Sequence, residues 1–293
     1  MAESIANKVK SFIKTSAAYR NLSGNEIIKV NNLDGYPLSR AVELWQRKLS
    51  CRLLVIVPSE ENARNLIDDL SDVRDIPVVY FPSSGKQLYS SYSASVQEAG
   101  QLKAIEKLES MNDGIIVTHV RAFASPVISR QSIRNFSIRL KSGDHFDSTG
   151  LASRLAAAGY YKASSCYEVG TFALRGEVME IFPYQSENPI RLYADWDEIG
   201  RIAYYDPSSQ QVIRNISSYS LSLINENTKV ETDSFTSCLK GNEYVFFVGS
   251  ERCRTVYTGL MNEAKQLFKA AYASDAHTPV PEKILTSPFD YLE

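Results

Sequence analysis

The run Leu53-Leu54-Val55-Ile56-Val57, closed by Pro58 and followed at once by Ser59, leaves few folds open to this chain. Five apolar residues without polar alternation suit a strand buried on both faces, the condition found inside a parallel sheet. Pro58 brings no amide to a ladder and ends the strand, and the Ser59 hydroxyl is an acceptor for the free amides of a following helix. That helix is legible in Ala63, Leu66, Ile67 and Leu70, which share one stripe at helical spacing. A buried strand running straight into a covering helix is half of a βαβ unit.

Neighbouring segments repeat the pattern. Residues 26–30 read as a short strand, and Leu38, Val42, Trp45 and Leu49 then recur at i, i+4, i+7 and i+11 on one helical stripe. Residues 78–81 and 115–118 are two more strands, separated by the loop FPSSGKQLYSSYSAS and a helix marked by Val96, Ala99, Leu102, Ile105 and Leu108. Residues 244–248 read as another buried strand, with Val256, Leu260, Leu267 and Ala271 marking the helix after it. A doubly wound α/β domain accounts for all of these.

Between them the period shortens to two. Ile190, Leu192, Ala194 and Trp196 fall on one face of a strand, and Arg191, Tyr193 and Asp195 on the other. Residues 171–175 and 178–182 are two further strands with Gly176 at the bend, and Gln185–Pro189, Asp197-Glu198 and Asp206-Pro207-Ser208-Ser209 are polar turns. A helix from Thr149, with Leu151, Leu155 and Ala158 inward and Gly159 as its C-cap, leads into this antiparallel meander. Because βα units stand on both sides, the α+β unit reads as an insertion. The expected division is 1–127 for the first part of the α/β domain, 128–226 for the inserted domain, and 227–293 for the return, with NENTKVETDS as linker. The chain stops at SPFDYLE without a full further unit, so a longer parent protein is expected.

The charge balance speaks against several roles. Lys and Arg total 32 against 34 Asp and Glu, a net charge of -2, which does not advertise nucleic acid or an anionic membrane. Arg130, Arg134, Arg139 and Lys141 crowd one segment, but Ile133, Phe136, Ile138 and Leu140 alternate with them as a strand whose charges are solvated. Cys51, Cys166, Cys238 and Cys253 lack ligand spacing, as do His119, His145 and His277, so no metal site is expected and the thiols read as reduced. The first residues carry no signal-peptide core, and no window approaches a membrane span, so a cytoplasmic protein away from membranes is expected. A monomer is a separate expectation.

Catalytic chemistry is equally hard to find. Beyond the first strand, where a doubly wound fold holds nucleotide, the sequence VNNLDGYPLSRAVEL has one glycine, Gly35, and no Gly-Lys-Ser/Thr to cradle phosphates. Gly85-Lys86 is followed by Gln and reads as a turn; Tyr89 and Tyr92 lack basic flanks and read as loop packing rather than a stacking platform. No nucleophile, base and orienting acid stand in recognisable spacing, so the segment is read as no enzyme, without cofactor.

The strings RGEVMEIFP, PIRL, DEI and YYDPSSQ resemble a block shared by the nucleotide-excision-repair helicase UvrB and the bacterial transcription-repair coupling factors (Mfd), and LASRLAAAGY resembles the helix that introduces it. The resemblance runs from about residue 151 to 223 and, more weakly, back through the α/β part, where the lost phosphate loop matches the coupling factors rather than UvrB. It implies a degenerate UvrB domain 1-like α/β domain and an inserted UvrB domain 2-like domain that docks onto the damage sensor UvrA. It also implies a parent protein whose motor domains use ATP and magnesium and whose absent parts meet RNA polymerase and double-stranded DNA.

Arg175 and Arg191 stand at the positions of the family's docking arginines, and Asp195 stands where an interfacial Phe is expected. Either Tyr193 supplies the aromatic contact two residues early, or the partner surface differs, or the local register brings Trp196 out. A purely internal use of the arginines is the competing reading, in which they pair with Glu168, Glu177 or Asp195 on their own sheet. Two other functions compete with docking: a small-ligand α/β enzyme domain, and a DNA-binding UvrB-like remnant.

Overall fold

The structure is a computed structural model that describes residues 10, 11, 13, 14, 33, 35–85, 87–89, 95–224, 228 and 230–291, with side chains 95–98 and 291 excepted. The expected strand at 26–30, Lys86, Tyr92, the side chain of Val96 and residues 225–227 and 229 of the expected linker lie outside the described residues. The chain divides into two compact units, one made of 1–91, 104–127 and 233–293, the other of 92–103 and 128–232.

The first unit opens with helix α1 (Gly35–Leu49), strand β1 (Arg52–Val57), helix α2 (Glu60–Leu70) and strand β2 (Val78–Phe81). In chain order helix α3 (Ser95–Ser110) follows, its residues up to 103 belonging to the second unit, and then strand β3 (Gly114–His119) and the short helix α4 (Val120–Ala124) of the first. Every residue of β1 and β3 is buried, as their unbroken apolar runs require. Ser59 caps α2 by accepting from the Asn62 amide, so the strand-to-helix punctuation acts as read.

The chain then passes through the short strand β4 (Val127–Ile128) into the second unit: helix α5 (Arg130–Asn135), strand β5 (Ser137–Lys141), helix α6 (Ser148–Ala157) and strand β6 (Tyr161–Lys162). The meander follows as β7 (Thr171–Arg175), β8 (Val178–Phe182), β9 (Ile190–Asp195), β10 (Glu198–Tyr205) and β11 (Val212–Ile216), and β12 (Ser218–Ser222) returns to pair with β5. After β13 (Thr232–Asp233) come β14 (Tyr244–Phe247), the long helix α7 (Ser250–Ser274) and α8 (Pro281–Ile284).

The first unit holds a parallel four-stranded sheet in the order β14-β1-β3-β2. Leu53, Val55 and Val57 of β1 pack with Val42 and Trp45 of α1 and Leu66 and Leu70 of α2. The second unit holds a six-stranded sheet in the order β11-β10-β9-β8-β7-β6, antiparallel apart from β6 beside β7. Its core face meets Leu151 and Leu155 of α6 and Leu140, Tyr219 and Leu221 of the β5–β12 pair. The class is therefore α/β with a parallel sheet and antiparallel sheets. Among the described residues no helix is long and apolar enough to cross a membrane, and no group of His, Cys, Asp or Glu is placed to hold a metal ion.

Four sequence expectations need correction. Ile133 lies in α5, so the strand in the basic segment begins only at Ser137; Ser129 accepts from the Ser132 amide and starts a helical turn that the alternation had hidden. Strand β14 is half exposed rather than buried, because it forms an edge of its sheet. Glu198 opens β10 instead of belonging to the turn. Trp196 is not on the core face of a strand: β9 ends at Asp195, and Trp196 is 95% exposed in the turn.

Candidate docking face of the six-stranded sheet

Strand register builds the face. Phe172, Met179, Ile181, Leu192 and Ile202 point into the core beneath α6, so the residues alternating with them point the other way. Arg175 stands opposite Val178, Val178 opposite Tyr193, and Tyr193 opposite Arg201, which makes one row across β7, β8, β9 and β10. The next row is Ala173, Glu180, Arg191 and Ala203. A two-residue turn with Gly176 at φ 58° joins β7 to β8, a backbone conformation that glycine adopts without a Cβ penalty.

Arg201 reaches the first row through a β-bulge. Ile199 pairs with Ala194 and Arg201 with Tyr193, so Gly200 has no partner in the ladder. The insertion lets Ile199 and Ile202, three residues apart, both enter the core, which strict alternation forbids. A Cβ on Gly200 would lie 2.9 Å from that of Asp195, which explains the glycine.

The two arginines singled out from the sequence have different surroundings. Arg175 is exposed; its Nη2 donates to the Ser164 carbonyl and the Ser165 hydroxyl, and it has no carboxylate partner among the described residues. Arg191 is not presented on a solvated face. Its Nε and Nη2 both donate to Glu180 Oε1, at 3.0 and 2.6 Å, Nη2 also donates to Gln210 Oε1 at 2.7 Å, and the guanidinium lies 4.0 Å from the Tyr205 ring centroid. Burial works against the charge, yet Tyr193 and Glu180 beside it hold the Arg191 pKa above the ordinary arginine value. The internal-pair reading thus holds for Arg191, with Glu180 as partner in place of Glu168, Glu177 or Asp195.

Tyr193 is half buried and carries the Arg201 guanidinium 3.8 Å from its ring centroid, a cation–π contact. Asp195 is exposed at the end of β9, and Trp196 projects from the turn beyond it. The structure thus brings Arg175, Tyr193 and Asp195 onto one face, places Trp196 at its rim, and holds Arg191 in the neighbouring row, half buried by its own partners. Val178 and Arg201 were missed. The signal for Arg201 was present in the spacing of Ile199 and Ile202, whose joint burial demands a bulge.

The first unit offers a different feature. The carboxyl ends of β1 and the β14 segment border a cavity of about 190 Å³ lined by Pro58, Asn62, Asp69, Gly249 and Arg252 among others. Its polar lining mixes both charges and holds no buried titratable group.

Residues 138–226 match the family model described as the UvrB interaction domain. The transcription-repair-coupling factor of Escherichia coli K12 is 26% identical over 170 residues, covering 58% of this chain and 15% of that protein. The UvrABC system protein B of Treponema denticola is 30% identical over 148 residues, covering 50% and 22%. The transcription-repair-coupling factor of Myxococcus xanthus is 34% identical over 98 residues, covering 33% and 8%. The chain is therefore similar to a small part of each relative, and the resemblance read in its motifs to UvrB and to the coupling factors is met by these matches.

Proposed function

We propose that this chain, whose residues 138–226 match the UvrB interaction domain, is the N-terminal, UvrB-like module of a bacterial transcription-repair coupling factor, and that its second unit recruits UvrA. In this reading the α/β unit is a UvrB domain 1-like scaffold without an ATP site, and the inserted unit is domain 2-like. The module binds and does not catalyse, and it needs no cofactor. ATP and magnesium, RNA polymerase and double-stranded DNA belong to other parts of the parent protein.

The observation that carries the reading is the row Arg175, Val178, Tyr193 and Arg201. Two exposed guanidinium groups without carboxylate partners among the described residues flank an apolar and an aromatic side chain, an arrangement suited to bidentate pairing with carboxylates around a small apolar contact. Arg191 supports this row from the side, since its ion pair with Glu180 in the neighbouring row fixes β9 against β8 next to Tyr193.

Calorimetric titration of the purified chain with UvrA from the same organism, at two salt concentrations, tests the reading beside a double reversal Arg175→Glu and Arg201→Glu whose folding is checked by circular dichroism. Binding by wild type and loss in the folded double variant is expected. No wild-type binding at roughly tens of micromolar would overturn recruitment.

A further inference from the structure

We propose that Trp196 is the anchor that seats this unit in its partner, entering an apolar slot rimmed by basic side chains. The inference rests on the docking reading and adds to it the residue and the partner chemistry at the rim of the face.

The first ground is cost. Trp196 exposes 95% of its surface, where the chain's other tryptophan, Trp45, exposes 4% and stacks on Phe246 at 4.6 Å. It also sits at φ 59°, a left-handed conformation in which a bulky side chain is unfavourable and glycine or asparagine is at ease. Neither packing nor backbone geometry therefore calls for tryptophan here, so its use lies outside the fold.

The second ground is preorganisation. The 143–146 segment clasps the base of the β9–β10 hairpin: Gly143 N donates to Ile199 O at 2.8 Å, Ile199 N to Asp144 O at 2.9 Å, and Phe146 N to Asp197 O at 2.6 Å. His145 bridges to Glu198 in the same clasp. A large aromatic held on a braced turn loses little freedom on binding, the property of an interface anchor.

The third ground is charge and position. Asp195, Asp197 and Glu198 surround Trp196 and are all exposed, and the imidazole of His145 lies beside them with its Nδ1 3.8 Å from Asp197 Oδ2 at the open surface. A slot for this tip has a basic rim by electrostatic complementarity. Ala194 N donates to Glu177 O at 2.7 Å, tying the tip to the β7–β8 turn beside Arg175, so anchor and row form one continuous surface. The partner then offers carboxylates to the row and cations to the tip, a pattern that fixes docking orientation.

The test uses the chain labelled with 5-hydroxytryptophan, excited outside the ordinary tryptophan band, with acrylamide as quencher and UvrA from the same organism as partner. Trp196→Phe and Trp196→Ala are titrated alongside. Protection of the exposed label on binding, with Ala weakening affinity at least about ten-fold and Phe far less, is the expected result. Wild-type binding with the label still quenched, or with Ala as tight as wild type, overturns the anchor and leaves recruitment by the row intact. Absence of wild-type binding overturns recruitment itself and the anchor with it. Concentration-dependent protection before UvrA is added makes a second copy of this chain the occupant and overturns the proposal.

Discussion

Arg191 and Glu180 face one another across β9 and β8 and close an ion pair of 2.6 Å, with side-chain exposures of 13% and 6%, in the row next to the one that carries Arg175 and Tyr193. A charge reversal at 191 therefore acts on the fold before it acts on any partner. Of the two arginines that the sequence presents as equals, one is exposed and the other is tied into an ion pair within its own sheet.

Removing one member of that pair strands the other in a nearly dry site. Arg191→Ala is expected to lower unfolding stability by about 2–4 kcal/mol, and Arg191→Met with Glu180→Leu to recover most of the loss. Urea denaturation of the single and double variants measures this; an Arg191→Ala protein as stable as wild type would show the pair to be dispensable.

The exposed row behaves in the opposite way. Arg175→Ala and Arg201→Ala each change stability by no more than about 0.5 kcal/mol, because neither guanidinium has a carboxylate partner among the described residues. Their binding defects are largest at low salt, and shrink as salt screens the pairs made with the partner. Parallel denaturation and binding curves separate the two effects.

Trp196→Gly relieves the left-handed backbone and stabilises the second unit by roughly 0.5–1 kcal/mol while removing the proposed anchor. A variant that is more stable and binds less well is the expected outcome in thermal melts and titrations. Lower stability would mean that the indole has a packing role in the fold.

In the first unit, His119 at the end of β3 is 4% exposed, and its Nε2 has no hydrogen-bond partner among the described residues. Burial, with Arg121 and Arg64 nearby and Glu60 opposing them, pulls its pKa down from 6.5 to about 4. Above 6.5 the ring is neutral folded or unfolded, and the stability is full. As pH falls toward 4 only the unfolded chain takes the proton, so stability drops by about 3 kcal/mol in total and levels off below 4. His119→Gln should flatten the stability profile between pH 7 and 4 relative to wild type.

Much of the architecture was legible because local physics dictates it. Unbroken apolar runs at β1 and β3 admit little but a doubly covered strand, and both lie fully buried in a parallel sheet. Ser59 after Pro58, and Leu151, Leu155 and Ala158 ahead of Gly159, fixed where α2 and α6 begin or end. Gly176 marked the β7–β8 turn for the same local reason, a backbone angle that other residues resist.

What the chain could not declare alone was the surroundings of its charges. Alternation along β9 put Arg191, Tyr193 and Asp195 on one face, and that much is a property of any strand. Whether Arg191 meets solvent or Glu180 depends on which residue of β8 lies opposite, a pairing set by turn geometry and by burial across the sheet. The bulge at Gly200 then shifts β10 by one residue and brings Arg201 over Tyr193, while the pairing of Asp195 with Glu198 leaves Trp196 in the turn instead of the core. The sequence by itself determined the elements and the side chains available to the face; only the tertiary structure decided which of them are exposed, because register is a relation between strands distant along the chain.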